Sequence, residues 1–187
     1  MKLKRWSYII ILGSGLFMAL IFFTPLEFYV IKYSNRLLSN NSVPLIQREK
    51  EIVDEYDWTL KASDGKIINL KEYKGDVVFI NFWATWCGPC VEEMPDLQKL
   101  YSAYNDKVTF LFVARDKQNI VSAFLTKKDY DIPVYFERGL TPKLFYHASI
   151  PATYIISKKG VIEMAKTGSY NWNSNKVREL LDNLLKE

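Results

Sequence analysis

Val77-Val78-Phe79-Ile80-Asn81-Phe82-Trp83, followed at once by Ala84-Thr85-Trp86-Cys87-Gly88-Pro89-Cys90, decides how this chain is read. The first seven residues are apolar except for Asn81, the pattern of a strand buried on both faces. The two cysteines that follow are the only ones in 187 residues, and a helix is expected from about Pro89 to Tyr104. A Cys-X-X-Cys pair between an apolar strand and a helix start reads as a redox dithiol. The helix N-terminus offers partial positive charge and unpaired N–H groups, which stabilise a thiolate at Cys87. That thiolate is the form that attacks a disulfide, and Cys90 is near enough to resolve the mixed disulfide.

Other readings of the pair are weaker. A structural zinc site needs about four ligands, and the chain has two cysteines and the single His147. A structural disulfide over so short a loop removes little chain entropy from the unfolded state. No metal and no organic cofactor is expected.

Moving downstream, Val108 to Ala114 reads as a second buried strand, Asn119 to Lys127 as a helix and Val134 to Phe136 as a short strand. A helical segment is expected at Pro142 to Tyr146. Thr153 to Ser157 and Val161 to Lys166 form a hairpin turning at Lys159-Gly160. The chain closes on an amphipathic helix, Asn173 to Leu185, with Val177, Leu180, Leu181, Leu184 and Leu185 on one face. Upstream, Thr59 to Leu70 reads as a hairpin turning at Asp64-Gly65. Strands alternating with helices, then a late hairpin, predict an α/β domain with a mixed sheet.

Composition sets the outer limits. About 135 residues remain once the N-terminal segment is set aside, enough for one domain. Apolar residues make up 49% of the chain and aromatics 15%, so a core forms without staples. The net charge of +4 is partly due to Lys2, Lys4 and Arg5. No basic stripe with interleaved aromatics stands out, which argues against a nucleic-acid partner.

The N-terminus carries the second strong signal. Lys2, Lys4 and Arg5 precede an uncharged stretch from Trp6 to Pro25, with apolar residues continuing to Ile31. About twenty residues at 1.5 Å each match a hydrocarbon core of roughly 30 Å. The expected organisation is a cytoplasmic N-terminus over residues 1–5, a transmembrane signal anchor over 6–31, a spacer over 32–56 and one domain over 57–187. Basic residues before the span place the domain outside the cytoplasm. The end of the span, Leu20-Ile21-Phe22-Phe23-Thr24-Pro25, lacks the small residues of a cleavage site. In that compartment a working dithiol must be kept reduced by an electron donor.

The motif as a whole, Asn81-Phe82-Trp83-Ala84-Thr85-Trp86-Cys87-Gly88-Pro89-Cys90 followed by Glu93-Met94-Pro95, resembles the membrane-anchored thioredoxin-like proteins of the TlpA/ResA type. Asp64-Gly65-Lys66, Leu70, Lys74-Gly75, Ile150-Pro151-Ala152-Thr153 and Lys159-Gly160 continue the resemblance over about residues 56–187. It implies a thioredoxin fold with an N-terminal hairpin and a helix-strand insertion near residues 117–137. It also implies a bacterial protein on the outer face of the cytoplasmic membrane, with thiol–disulfide exchange as its activity. Apocytochrome c, oxidase assembly factors and general extracytoplasmic thiols are the substrate classes it allows. The partners expected are a protein disulfide, a membrane electron-donor protein and the bilayer; a monomer is expected.

Residue roles follow from chemistry and resemblance together. Cys87 is expected as nucleophile and Cys90 as resolving thiol. Trp86, Gly88 and Pro89 would meet the substrate, with Pro89 suited to a first helical turn. By resemblance the Ile150–Pro151 bond is cis, packed against the dithiol, with the Ile150 backbone free to pair with a substrate strand. Trp83 either flanks the sulfurs or is core, and Pro95 is a structural residue of the active-site helix. Asn81 stands where thioredoxin proper carries a buried Asp, so the proton of the second thiol needs another acceptor. Glu93, one turn from Cys90, is a candidate acid/base or pKa-tuning group; the alternative is a solvated helix charge. His147 and Ser149 depart from the family pattern; a histidine by the substrate loop is able to tune the thiolate or a partner contact, and the favoured reading is a partly exposed loop residue with a satisfied hydrogen bond.

The favoured activity is disulfide reduction, because Gly-Pro between the cysteines resembles the reducing thioredoxins. A peroxiredoxin-like peroxidase is the enzyme alternative, but Ala84 and Ile80 stand where that class has Thr or Ser and Pro. A binding or chaperone module on the same scaffold is the non-enzymatic alternative.

Overall fold

The computed structural model describes residues 51–54 and 56–187. Seven strands form one sheet: β1 (Thr59–Ala62), β2 (Ile67–Asn69), β3 (Val78–Trp83), β4 (Thr109–Ala114), β5 (Val134–Glu137), β6 (Ala152–Ile156) and β7 (Ile162–Thr167). Three helices accompany them: α1 (Gly88–Tyr104), α2 (Gln118–Lys128) and α3 (Asn175–Leu185). The expected helical segment after Pro142 is a single 3-10 turn at Lys143–Phe145.

The strand order is β2-β1-β5-β4-β3-β6-β7. β3 runs parallel to β4, and β4 to β5, while β6 and β7 are antiparallel additions on the other side of β3. The mixed sheet with flanking helices is the thioredoxin-like arrangement. The α2–β5 segment ties the N-terminal hairpin to it, because β5 pairs in parallel with β4 and antiparallel with β1.

β3 is buried along its whole length. Phe79 and Trp83 enter one core cluster, with the inward residues of α1 and α3 and with Val121 of α2. On α1 the buried residues Cys90, Glu93, Met94, Leu97, Leu100 and Tyr104 recur at helical spacing, so the helix lays one stripe on the sheet. Val78, Ile80 and Phe82 point into a second cluster that contains no α-helical residue. Trp58, Leu70 and Phe145 are part of it, with the Trp58 ring 5.7 Å from both Phe82 and Phe145.

The last residues of the expected 32–56 spacer are engaged with the domain. Ile52 bridges Val161, the Val53 N–H donates to the Gly160 carbonyl at 2.8 Å, and Val53 is buried. Among the described residues no helix is long and apolar enough to cross a membrane; the expected span at residues 6–31 lies outside them.

Candidate redox site and its buried carboxyl

Two features of the sheet assemble the site. β3 ends at Trp83, and its parallel neighbour β4 ends beside it at Ala114, because Trp83 is in register with Ala114. The short link to α1 is held from the side: the Asp116 carboxylate accepts the Thr85 N–H at 2.6 Å. On the other side Phe82 faces Ala152 of antiparallel β6. Continuing that register by one residue brings Pro151 to the same end of the sheet as the cysteines.

Cys87 is the N-cap residue of α1, and its sulfur accepts the Cys90 N–H at 3.2 Å. A thiolate there meets an N–H donor and the positive end of a helix, both of which stabilise negative charge on sulfur. Pro89 lies in the first turn, where its missing N–H leaves no bond unmade. Cys87 and Cys90 are joined as a disulfide. Cys90 is fully buried, whereas Cys87 keeps a small opening at 5% exposure. The Ile150–Pro151 peptide is cis, and the Ile150 carbonyl oxygen lies 3.7 Å from Cys87 Sγ.

The aromatic pair divides in its placement. Trp86 is 69% exposed beside Cys87 and Gly88, while Trp83 is wholly buried and packs at 5.8 Å on Phe124. Pro95 sits in the interior of α1 on its exposed face, so the Val91 carbonyl deprived of its usual partner faces toward solvent.

Glu93 is not a solvated helix charge. It is 2% exposed and held by three N–H donors from two other parts of the chain. Asn81 Nδ2 donates to Oε1 at 3.0 Å; the Tyr170 N–H and the Trp172 indole donate to Oε2 at 3.2 and 2.8 Å. Burial pushes its pKa from 4.5 up to about 8; the donors from Trp172, Asn81 and Tyr170 oppose that rise, and Asp96 adds to it. A carboxyl with a pKa in that range is suited to general acid–base work.

The other partners of this network come from distant sequence. Asn81 Nδ2 also donates to Thr153 Oγ1 at 2.8 Å, a contact set by the Asn81–Thr153 register of β3 and β6. Gly168 follows β7 at φ +87°, a conformation that favours glycine, and its N–H donates to the Pro151 carbonyl at 2.8 Å. The chain then turns back over α1 and delivers Tyr170 and Trp172. Trp172 is fully buried, with its ring edge-on to Phe79 at 5.3 Å. Sequence reasoning passed over Thr153, Tyr170 and Trp172 as members of this network. The one available signal is a Tyr-X-Trp aromatic pair in an otherwise polar loop.

His147 is half-buried in the loop ahead of Pro151. Its Nδ1 lies 2.9 Å from the Phe145 carbonyl, its ring is 4.3 Å from Phe82, and Nε2 is buried without a partner. Burial holds its pKa below the usual value. Among the described residues no group of His, Cys, Asp and Glu side chains is placed to hold a metal ion.

The AhpC/TSA family matches residues 54–165. Over 117 residues the chain is 36% identical to the thioredoxin-like protein YneN of Bacillus subtilis, covering 60% of this chain and 69% of that one. Over 102 residues it is 37% identical to the thiol-disulfide oxidoreductase ResA of Bacillus thuringiensis subsp. konkukian, covering 53% and 59%. The structure is similar to that of StoA from Bacillus subtilis, with a TM-score of 0.54 and 26% identity over 69% of this chain and 95% of that one.

Proposed function

Because the chain belongs to the AhpC/TSA family and is a thioredoxin-like thiol–disulfide oxidoreductase of the TlpA/ResA type, we propose that it reduces protein disulfides through Cys87 and Cys90 on the outer face of a bacterial cytoplasmic membrane. The observation that carries this reading is the Cys87–Cys90 pair at the N-terminus of α1, beside the Ile150 carbonyl.

In the reduced state the Cys87 thiolate attacks one sulfur of a substrate disulfide. A bond forms between Cys87 and that sulfur, and the other substrate sulfur leaves as a thiolate. The Ile150 backbone and the exposed Trp86 and Gly88 offer the substrate main-chain and apolar contacts, which bind a strand with little sequence selectivity. Cys90 then gives its proton to Glu93 and attacks Cys87 Sγ. The second substrate thiolate departs, and the enzyme is left in the disulfide form. Two electrons from a membrane donor restore the dithiol.

Residues 6–31 would tether the domain to the bilayer, with residues 32–56 largely as spacer and the protein acting as a monomer. Apocytochrome c and related assembly factors fit as substrates. The peroxidase alternative is disfavoured by Ala84, which is buried three residues before Cys87 and has no hydroxyl to offer a peroxide.

Equilibration with glutathione redox buffers tests the direction. Thioredoxin lies near −270 mV and DsbA near −120 mV, so a reductase is expected below about −200 mV. A value at the DsbA end overturns reduction as the activity.

A further inference from the structure

The Asn81 amide is oddly served. Its Nδ2 faces both Glu93 Oε1 and Thr153 Oγ1, at 3.0 and 2.8 Å, while its Oδ1 is buried with no partner at all. One end of the amide thus holds two polar atoms and the other holds none. This arrangement suits a carboxylate, which only accepts hydrogen bonds. It does not suit a carboxylic acid protonated on Oε1, whose O–H would point at an N–H donor.

Turning the amide over by half a rotation about its last side-chain bond removes that conflict. Oδ1 would then occupy the position facing Glu93 and Thr153. It could accept the Glu93 O–H, and it could accept the Thr153 hydroxyl, which is able to donate as well as accept. Each orientation leaves the opposite end of the amide without a partner. Exchange between them therefore changes which group donates and leaves the count of satisfied groups alone.

We propose that Asn81 is a positioning residue for Glu93, with an amide that donates to the charged carboxylate and turns over to accept from the protonated one. The inference rests on reading Glu93 as the proton acceptor for Cys90. In that step the Cys90 S–H bond breaks, an O–H bond forms at Glu93 Oε1, and the electron pair stays on sulfur as the attacking thiolate. The amide then turns and Thr153 reverses its own hydroxyl.

The surroundings leave the response to these groups. Glu93 is faced by Asn81 from β3, with Thr153 of β6 behind it, and by Trp172 and the Tyr170 backbone from the loop after β7. On its own helix Asp96 supplies a repulsive charge and Cys90 precedes it by one turn. Lys166 stands over the Tyr170 ring at 5.5 Å.

The test follows two signals in the oxidised full chain in detergent micelles, from about pH 5 to about pH 10. One is the Glu93 carboxyl carbon, the other the Asn81 side-chain NH2 group, each isotopically labelled. The expected result is that the Asn81 amide protons shift with the same midpoint as the Glu93 carbon, and that Glu93→Gln leaves them unchanged with pH. An Asn81→Leu variant, which keeps the volume and removes both amide ends, should move the Glu93 midpoint upward. Asn81 signals that stay level while Glu93 titrates overturn the turning amide and leave Glu93 as the base. A Glu93 carbon that does not titrate in this range overturns both.

Discussion

The Glu93 carboxylate and the Trp172 indole, 79 residues apart in the chain, meet through a 2.8 Å hydrogen bond in the core. A buried carboxyl is therefore steadied by a loop that follows the last strand. Trp172→Phe keeps an aromatic ring against Phe79 and Tyr170 but removes the donor. Since hydrogen bonds to charged groups contribute about 1.5–3 kcal/mol, the charged form of Glu93 should weaken and its pKa should rise further. Stability above that pKa should fall by a similar amount, with a smaller loss in acid. Carbon NMR of the carboxyl and urea denaturation at two pH values check both parts.

Stability of the oxidised domain should also follow Glu93. The unfolded group titrates near 4.5 and the folded one near 8, so the folded state binds the proton more tightly. Its contribution is full below about pH 4.5 and is lost as pH rises through about 8, beyond which the curve levels. The loss is on the order of a few kcal/mol. Glu93→Gln should flatten this slope; a variant with the wild-type slope would place its origin elsewhere.

His147 should show the opposite sense. It is the one histidine in the chain, and burial lowers its pKa, so the folded state disfavours the imidazolium. The associated stability is present above the ordinary value near 6.5 and is lost as pH falls below it. Its single imidazole resonance should titrate with a midpoint below 6.5, and a midpoint above that value contradicts the burial argument.

Asp116 anchors the link between β3 and the cysteines through the 2.6 Å bond to the Thr85 N–H. Asp116→Ala leaves that half-buried donor unmatched, at a cost of about 1–3 kcal/mol. Asp116→Asn retains an acceptor and should recover most of the loss. Thermal denaturation of the two variants measures this, and equal destabilisation by both would show that charge, rather than the bond, matters.

Cys90→Ser should halt the reaction at the mixed disulfide on Cys87, because the resolving thiolate is gone. Non-reducing electrophoresis of membranes from cells carrying this variant should reveal adducts that Cys87→Ser does not form. Capture of no protein by Cys90→Ser would count against a protein-disulfide substrate.

Sequence alone determined what local chemistry determines. The apolar run ending at Trp83, the two cysteines at a helix start, the turn at Asp64-Gly65 and the stripe on α3 each depend on neighbours within a few residues. Periodicity and turn residues therefore disclose them. The redox pair was legible for the same reason, since an N-cap acts on its own helix. Glu93 was not legible in full: one turn from Cys90 it reads equally as a surface charge. Only the tertiary structure buried it, because its donors arrive from Asn81 on β3 and from the loop that ends at Trp172. Strand register and loop return bring such partners together, and neither leaves a periodic trace in the residues it joins.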